Sequence, residues 1–262
     1  MPLPGLQFRK SVLMKLNRHL YEIMEARARQ SRIAQVCMGI GYTAVTLDDG
    51  SIGVAYTYFD TKTGCTLVRN YQDFEDQPAE TLLTLIESRD YLERSMALAL
   101  INALNHANIR HFPPNNKNDL LLEVLGIVPQ SKVAMVGFIK PLVKLLESMG
   151  AKVEVIDDFR GMGKKARFYR HLSNWADAAL ITSTAIINNT VEEILEAVAP
   201  SVKTALLGPS TPMVAQAFSP WPVIKALAGI VPLDSAAVLK TVRHGLGTPY
   251  LHRCSTKITL TL

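Results

Sequence analysis

The chain has 262 residues, 48% of them hydrophobic, with a net charge of +5 and three cysteines. That length and apolar content can bury a large core and fit two domains better than one. Cys37, Cys65 and Cys254 are widely separated with no CxxC pair, which argues against a disulfide framework and against a cysteine-rich metal site. The opening MPLPGLQFRKS lacks the charged-then-apolar layout of a signal peptide, and no apolar run reaches the roughly 18 residues that a bilayer requires, so a cytoplasmic protein is expected.

The first element is an amphipathic helix, in which Leu13, Leu16, Leu20, Ile23 and Met24 recur at helical spacing. Its basic residues, Arg9, Lys10, Lys15, Arg18, Arg27, Arg29 and Arg32, read as a solvated face, with RNA or anionic-membrane binding as the alternative. Neither a nucleic-acid nor a membrane partner is expected. Ile33–Met38, Thr43–Leu47 and Ile52–Tyr58 follow as strands, the last two joined by Asp48-Asp49-Gly50-Ser51. A DG step between β-rich runs is a hairpin signal, because glycine takes positive φ without a Cβ penalty. Ala79–Glu87 and Tyr91–Asn105 are helices, the second apolar around most of its circumference (MALALINAL) and therefore buried. Helix, antiparallel strands and helices make an α+β unit, and the proline- and asparagine-rich stretch His111–Asn118 ends it. The expected division is 1–116 and 117–262.

A lead-in helix, Asp119–Leu125, opens the second unit. Lys132–Asp158, KVAMVGFIKPLVKLLESMGAKVEVIDD, then spells strand, glycine turn, helix with an early proline, glycine stop, strand and acidic end. Ala178–Thr182, Thr204–Leu207 and Gly229–Val231 are further short apolar strands separated by helical patterns. Alternation of this kind predicts right-handed crossovers and a mostly parallel, doubly wound sheet of Rossmann-like α/β class. Asn189 with Glu192 three residues on has the form of a capping box, Asp234 precedes SAAVLK as a cap, and Thr211 pairs a capping hydroxyl with Pro212 at a first helical position.

In a parallel sheet the turns after the strands converge on one edge. Here those turns are Gly137-Phe138-Ile139, Asp157-Asp158, Thr182-Ser183-Thr184 with Asn188-Asn189-Thr190, Gly208-Pro209-Ser210-Thr211, and Asp234-Ser235. Small hydroxyls and free amides at helix starts favour an anionic or strongly hydrogen-bonding ligand. The same residue types also serve turn and cap geometry alone. Asp157 follows Gly137 by the roughly 20 residues that place a ribose-binding acid in nucleotide-binding sheets. VGFIKP has one glycine of the three that a dinucleotide fingerprint needs, so ordinary NAD binding is not expected; S-adenosylmethionine stays open, and the cofactor is unknown. Arg160-Gly161-Met162-Gly163-Lys164-Lys165 lacks the order of a phosphate loop, and the six histidines form no spaced metal-ligand set.

The chain as a whole resembles a known family, "putative heavy-metal chelation", a domain family of unknown function. The likeness rests on MGIGYTAVTLDDGSIGVAYTY (38–58), VGFIKPLV, VEVIDD, ADAALITSTAIINNTVEEIL, LLGPSTPM and AGIVPLD. It implies an enolase N-terminal-like α+β domain followed by a Rossmann-like domain, with a pocket between them. Carried over by position, it points to Gly41, Thr43, Asp157, Thr182, Asn189, Thr190, Gly208, Pro209, Ser210 and Asp234, and the turn HGLGTP with Gly245 and Gly247 stands where the family is richer in glycine. No metal-ligand set follows from these residues.

The expected function is an enzyme that condenses or hydrolyses a flavin-, pterin- or siderophore-like metabolite linked to heavy-metal chelation, with Asp157 as base or orienting group. Gly137, Phe138, Thr182, Asn189, Thr190, Gly208, Pro209 and Ser210 would bind the ligand. The alternative is a non-catalytic protein that carries or senses a metal chelate. An isologous dimer is the default assembly.

Overall fold

The computed structural model describes residues 15–59 and 71–262; Arg9, Lys10, Leu13 and Cys65 lie outside them. Helix α1 (Lys15–Gln30) buries Leu16, Leu20, Met24 and Ala28 at four-residue spacing and turns Arg18, Arg27 and Arg29 outward. Arg18 pairs with Glu22 at 3.0 Å and Arg29 with Glu25 at 2.8 Å, as expected of a solvated charged face. Strands β1 (Ile33–Met38), β2 (Tyr42–Leu47) and β3 (Ile52–Tyr56) form an antiparallel meander, and Gly50 takes φ +81° in the turn between the last two. Helix α2 (Ala79–Leu83) runs into a 3₁₀ turn, Thr84–Glu87. Asp90 then caps α3 (Tyr91–Ile109) by accepting from the Leu92 amide at 2.7 Å. Gly53 lets β3 lie directly on the backbone of α3.

The second half comprises α4 (Asp119–Leu125), β4 (Lys132–Val136), α5 (Lys140–Ser148), β5 (Lys152–Ile156), α6 (Lys165–Asn174), β6 (Ala178–Thr182), α7 (Thr184–Ile187), α8 (Val191–Ala197), β7 (Lys203–Leu207), β8 (Ile224–Pro232), α9 (Ser235–Arg243), α10 (Thr248–Leu251) and β9 (Ser255–Thr261). Its sheet has the order β5-β4-β6-β7-β8-β9, parallel throughout except for β9 at one edge. The molecule is thus mixed α/β, with a mostly parallel six-stranded sheet and a small antiparallel three-stranded one. Alternation along the strands sorts the core: Val133 and Met135 pack with α4 and α5, whereas Ala134 faces the layer containing α6 and α3.

Several local expectations change. β8 spans nine residues where Gly229–Val231 was expected, and β9 was not foreseen. Asn189 takes φ +58° as the left-handed residue that closes α7, so Thr190, not Asn189, stands at the cap position of α8. Glu192 does not reach back in a capping box; its Oε1 accepts from the Leu16 amide at 2.9 Å and satisfies an orphan donor in the first turn of α1. No helix begins at Pro212, because the Thr211 hydroxyl turns inward to the Gly208 and Ala228 carbonyls at 2.8 and 2.9 Å. Asp234 does cap α9, accepting from Ala237 at 3.0 Å. Asp234→Ala is expected to cost about 1 kcal/mol, read as a small fall in thermal midpoint.

One apolar cluster runs through both halves, joining Leu16, Leu20 and Leu98 to Phe168, Ile181, Leu206 and Phe218. Three polar side chains of α3 cross this contact to main-chain oxygens of the second half: Arg94 to Ile187, Asn105 to Met213 at 2.7 Å and His106 to Pro232 at 3.0 Å. Buried carbonyls need such donors, so these bonds fix the orientation that the apolar contact alone would leave loose.

Candidate functional site

The order β5-β4-β6 places a topological switch point between β4 and β6, where helices leave toward opposite faces of the sheet. Ligands of open α/β sheets bind at the carboxyl ends of the strands at that point. The turns there are joined one to the next into a continuous rim. Asp157, just after β5, accepts from the Phe138 amide at 2.8 Å through Oδ2 and from the Arg160 amide at 3.0 Å through Oδ1. Gly137, with φ +84°, lies against Thr182 so closely that a Cβ would stand 2.8 Å from its Cγ2. Ser183 and Thr211 hydroxyls are 2.8 Å apart, and Ser210 accepts from the Tyr56 amide at 2.8 Å. That last bond ties β3, in the first half, to the loop leaving β7.

Asp157 and Thr182 are part-buried, whereas Ser210 is buried against Tyr56. Gly208, at φ +117°, has open space where a side chain would be, and Pro209 follows it half-buried. The Arg160 guanidinium stands 3.5 Å from Asp157 and 5.5 Å from the centre of the Phe138 ring. Asn189 and Thr190 sit at the α7–α8 junction, where Asn188 Oδ1 accepts from the Thr190 hydroxyl at 2.7 Å. Thr43 is fully buried inside the small sheet and bonds Thr57 at 2.9 Å. Gly41 packs near the Leu246 carbonyl, which brings the HGLGTP turn to the end of the small sheet. Asp234 is exposed and engaged at the start of α9.

Sequence reasoning placed a pocket between the two units but did not name a row of aromatic side chains in the first half. Tyr42, Tyr56, Tyr58 and Tyr91 form a chain of edge contacts with centroid separations of 6.2, 6.3 and 5.0 Å. Arg94 continues it, 4.8 Å from the centre of the Tyr91 ring and 2% exposed. The available signal was a tyrosine at alternate positions 56 and 58, and an arginine on a helix otherwise apolar enough to be buried.

Among the described residues no group of three or more His, Cys, Asp or Glu side chains is placed to hold a metal ion. The carboxylate at the rim already serves two amides and a guanidinium, so the described side chains do not fit a resident metal. Among the described residues no helix is long and apolar enough to cross a membrane.

A solved structure of a DUF364 protein of unknown function from Pyrococcus horikoshii superposes with a TM-score of 0.75 at 19% identity, covering 94% of this chain and all of that one. A second, from Desulfitobacterium hafniense DCB-2, gives 0.72 at 18% identity over 94% and 99% of the two chains. An uncharacterized protein of Methanocaldococcus jannaschii is 22% identical over 240 residues, 86% of this chain and 89% of that one. Two family models, both described as "Putative heavy-metal chelation", match residues 21–105 (DUF4213) and 120–261 (DUF364). With the fold shared along nearly its whole length and both models matched in order, the chain belongs to the putative heavy-metal chelation family.

Proposed function

We propose that the rim binds a small anionic or heterocyclic metabolite and that the protein condenses or hydrolyses it in the metabolism of metal chelators. In this reading residues 1–116, with an enolase N-terminal-like fold, cover the mouth formed by 117–262, and any metal arrives as part of the ligand. The observation that supports the reading is the Ser210–Tyr56 bond, which holds β3 of the first half against the loop leaving β7, one strand along from the switch point. Crevices walled by two units are common sites for small molecules. Main-chain amides at the start of α5, with the Thr182 hydroxyl, would polarise an anionic ligand.

A second reading, a non-catalytic carrier or sensor of a metal chelate, is favoured by the engagement of Asp157 with two amides, which leaves it less free to move a proton. A thermal-shift screen of flavins, pterins and siderophore fragments, each with and without divalent metal, separates these. A ligand at a hundred times its Kd stabilises by about 2.7 kcal/mol. Conversion of the stabilising compound, followed by mass spectrometry, supports the enzyme; its recovery unchanged supports the carrier. Stabilisation by none of them overturns both. Asp157→Asn keeps one acceptor for the two amides, so it should cost about 1 kcal/mol of stability while weakening the stabilising compound. Unchanged affinity would remove Asp157 from the site.

A further inference from the structure

Among the described residues Arg94 is a cation without a matching anion. Its side chain is 2% exposed, Nε donates to the Ile187 carbonyl and Nη1 to the Ser88 carbonyl, and its face lies on the Tyr91 ring. Among the described residues no carboxylate comes within ion-pair distance, and Nη2 donates to nothing. Asp90 acts on it from further away, while its Oδ1 is occupied in capping α3. Burial lowers the pKa of the guanidinium, the mark of a charge held with too little compensation.

Stapling α3 to the second half does not require that charge. Asn105, on the same helix, reaches the Met213 carbonyl with an uncharged amide. A buried charge is costly unless paired, so a purely structural staple at position 94 would be better served by a neutral donor. The place of Arg94 supplies the missing reason. Ile187 ends the short helix that begins just after the rim residues Thr182 and Ser183. Ser95, next in sequence, accepts from the Tyr58 amide at 3.1 Å, and the Tyr58 ring abuts Tyr91. Tyr58 and Tyr91 are only part-buried, and the guanidinium lies between the Tyr91 ring and the Ile187 carbonyl at the end of that short helix.

We infer that Arg94 is the anion-recognising residue of the crevice, its guanidinium receiving an oxyanion carried by a planar ligand whose ring system lies along the Tyr58–Tyr91 wall. This rests on the crevice reading given under Proposed function and narrows its ligand to aromatic or heterocyclic compounds bearing a carboxylate or phosphate. An oxyanion would take the free donor of a guanidinium already aligned by two carbonyls, and an aromatic ring would meet tyrosines whose faces cost little entropy to present.

The test compares pterin-6-carboxylate with 6-hydroxymethylpterin, its neutral counterpart, with inorganic phosphate as a third probe. Binding is read by calorimetry and thermal shift on the full-length protein. Wild type should bind the carboxylate about tenfold or more tightly than the alcohol, as a hydrogen bond to a charged group implies. Phosphate should compete with the carboxylate if the site takes oxyanions in general, and its failure to compete would assign the site to carboxylates. In Arg94→Met the preference should vanish while affinity for the alcohol is kept; in Arg94→Lys part of it should remain. Equal binding of both pterins to wild type, or a preference that survives in Arg94→Met, overturns the role of Arg94 and leaves the crevice standing. Binding of neither pterin and no effect of phosphate overturns the crevice reading with it. The wild-type comparison holds even if Arg94→Met does not fold.

Discussion

Gly53→Val is expected to abolish folding or to cost more than about 4 kcal/mol, the range reached when core backbone must separate. A Cβ at position 53 would lie 2.1 Å from the Ala103 amide nitrogen, 2.3 Å from the Ala99 carbonyl oxygen and 2.5 Å from the Asn102 carbonyl carbon. All three belong to the backbone of α3, so no side chain can swing aside. Relief requires α3 to move off β3, and α3 is the helix that both halves share. Interiors packed as densely as crystals do not absorb such a shift locally. Circular dichroism and urea unfolding report the result, and a variant with the wild-type midpoint would mean that β3 and α3 stand further apart than described.

Gly137→Ala should lose about 2–5 kcal/mol from two sources. A non-glycine residue at φ +84° pays about 1–2 kcal/mol of backbone strain, and the new methyl meets Thr182 Cγ2 at 2.8 Å, an overpacking worth about 1–3 kcal/mol. Thr182→Ser removes that Cγ2 and keeps the hydroxyl. The double variant should therefore recover part of the packing loss and none of the strain, so urea midpoints of both singles and the double form a cycle with a clear non-additive term. Additive losses would place Gly137 and Thr182 apart and break the rim between β4 and β6.

Legibility in the sequence followed the range of the interactions involved. β1, α4, β4 and β6 have the bounds that the apolar pattern predicts, because that spacing acts within a few residues. β9 escaped notice: STKITLT is an edge strand with mixed exposure, and its pairing with β8 is decided by tertiary packing. Asp157 could be located by spacing, yet its service to Phe138 and Arg160 could not. Ser210 looked like a free hydroxyl at a turn, and its partner Tyr56 lies 154 residues earlier. Arg94 was invisible for the same reason, since the Ile187 carbonyl that fixes it is 93 residues away. Capping residues were misread where another partner competed: Glu192 chose α1 over its own helix, and Thr211 chose two carbonyls over a helix start.

The apolar cluster common to both halves governs how a guest could enter. Two lobes linked by a hinge can part like jaws, but here separation would strip Leu98, Phe168 and Phe218 of their neighbours and wet the interior at once. Under the proposed function, admission and exit would fall to turns and side chains at the lip, whose excursions are fast and small compared with domain opening. If the proposed ligand site is right, its shape would be set before the guest arrives, and selection would come from fit more than from closing around it.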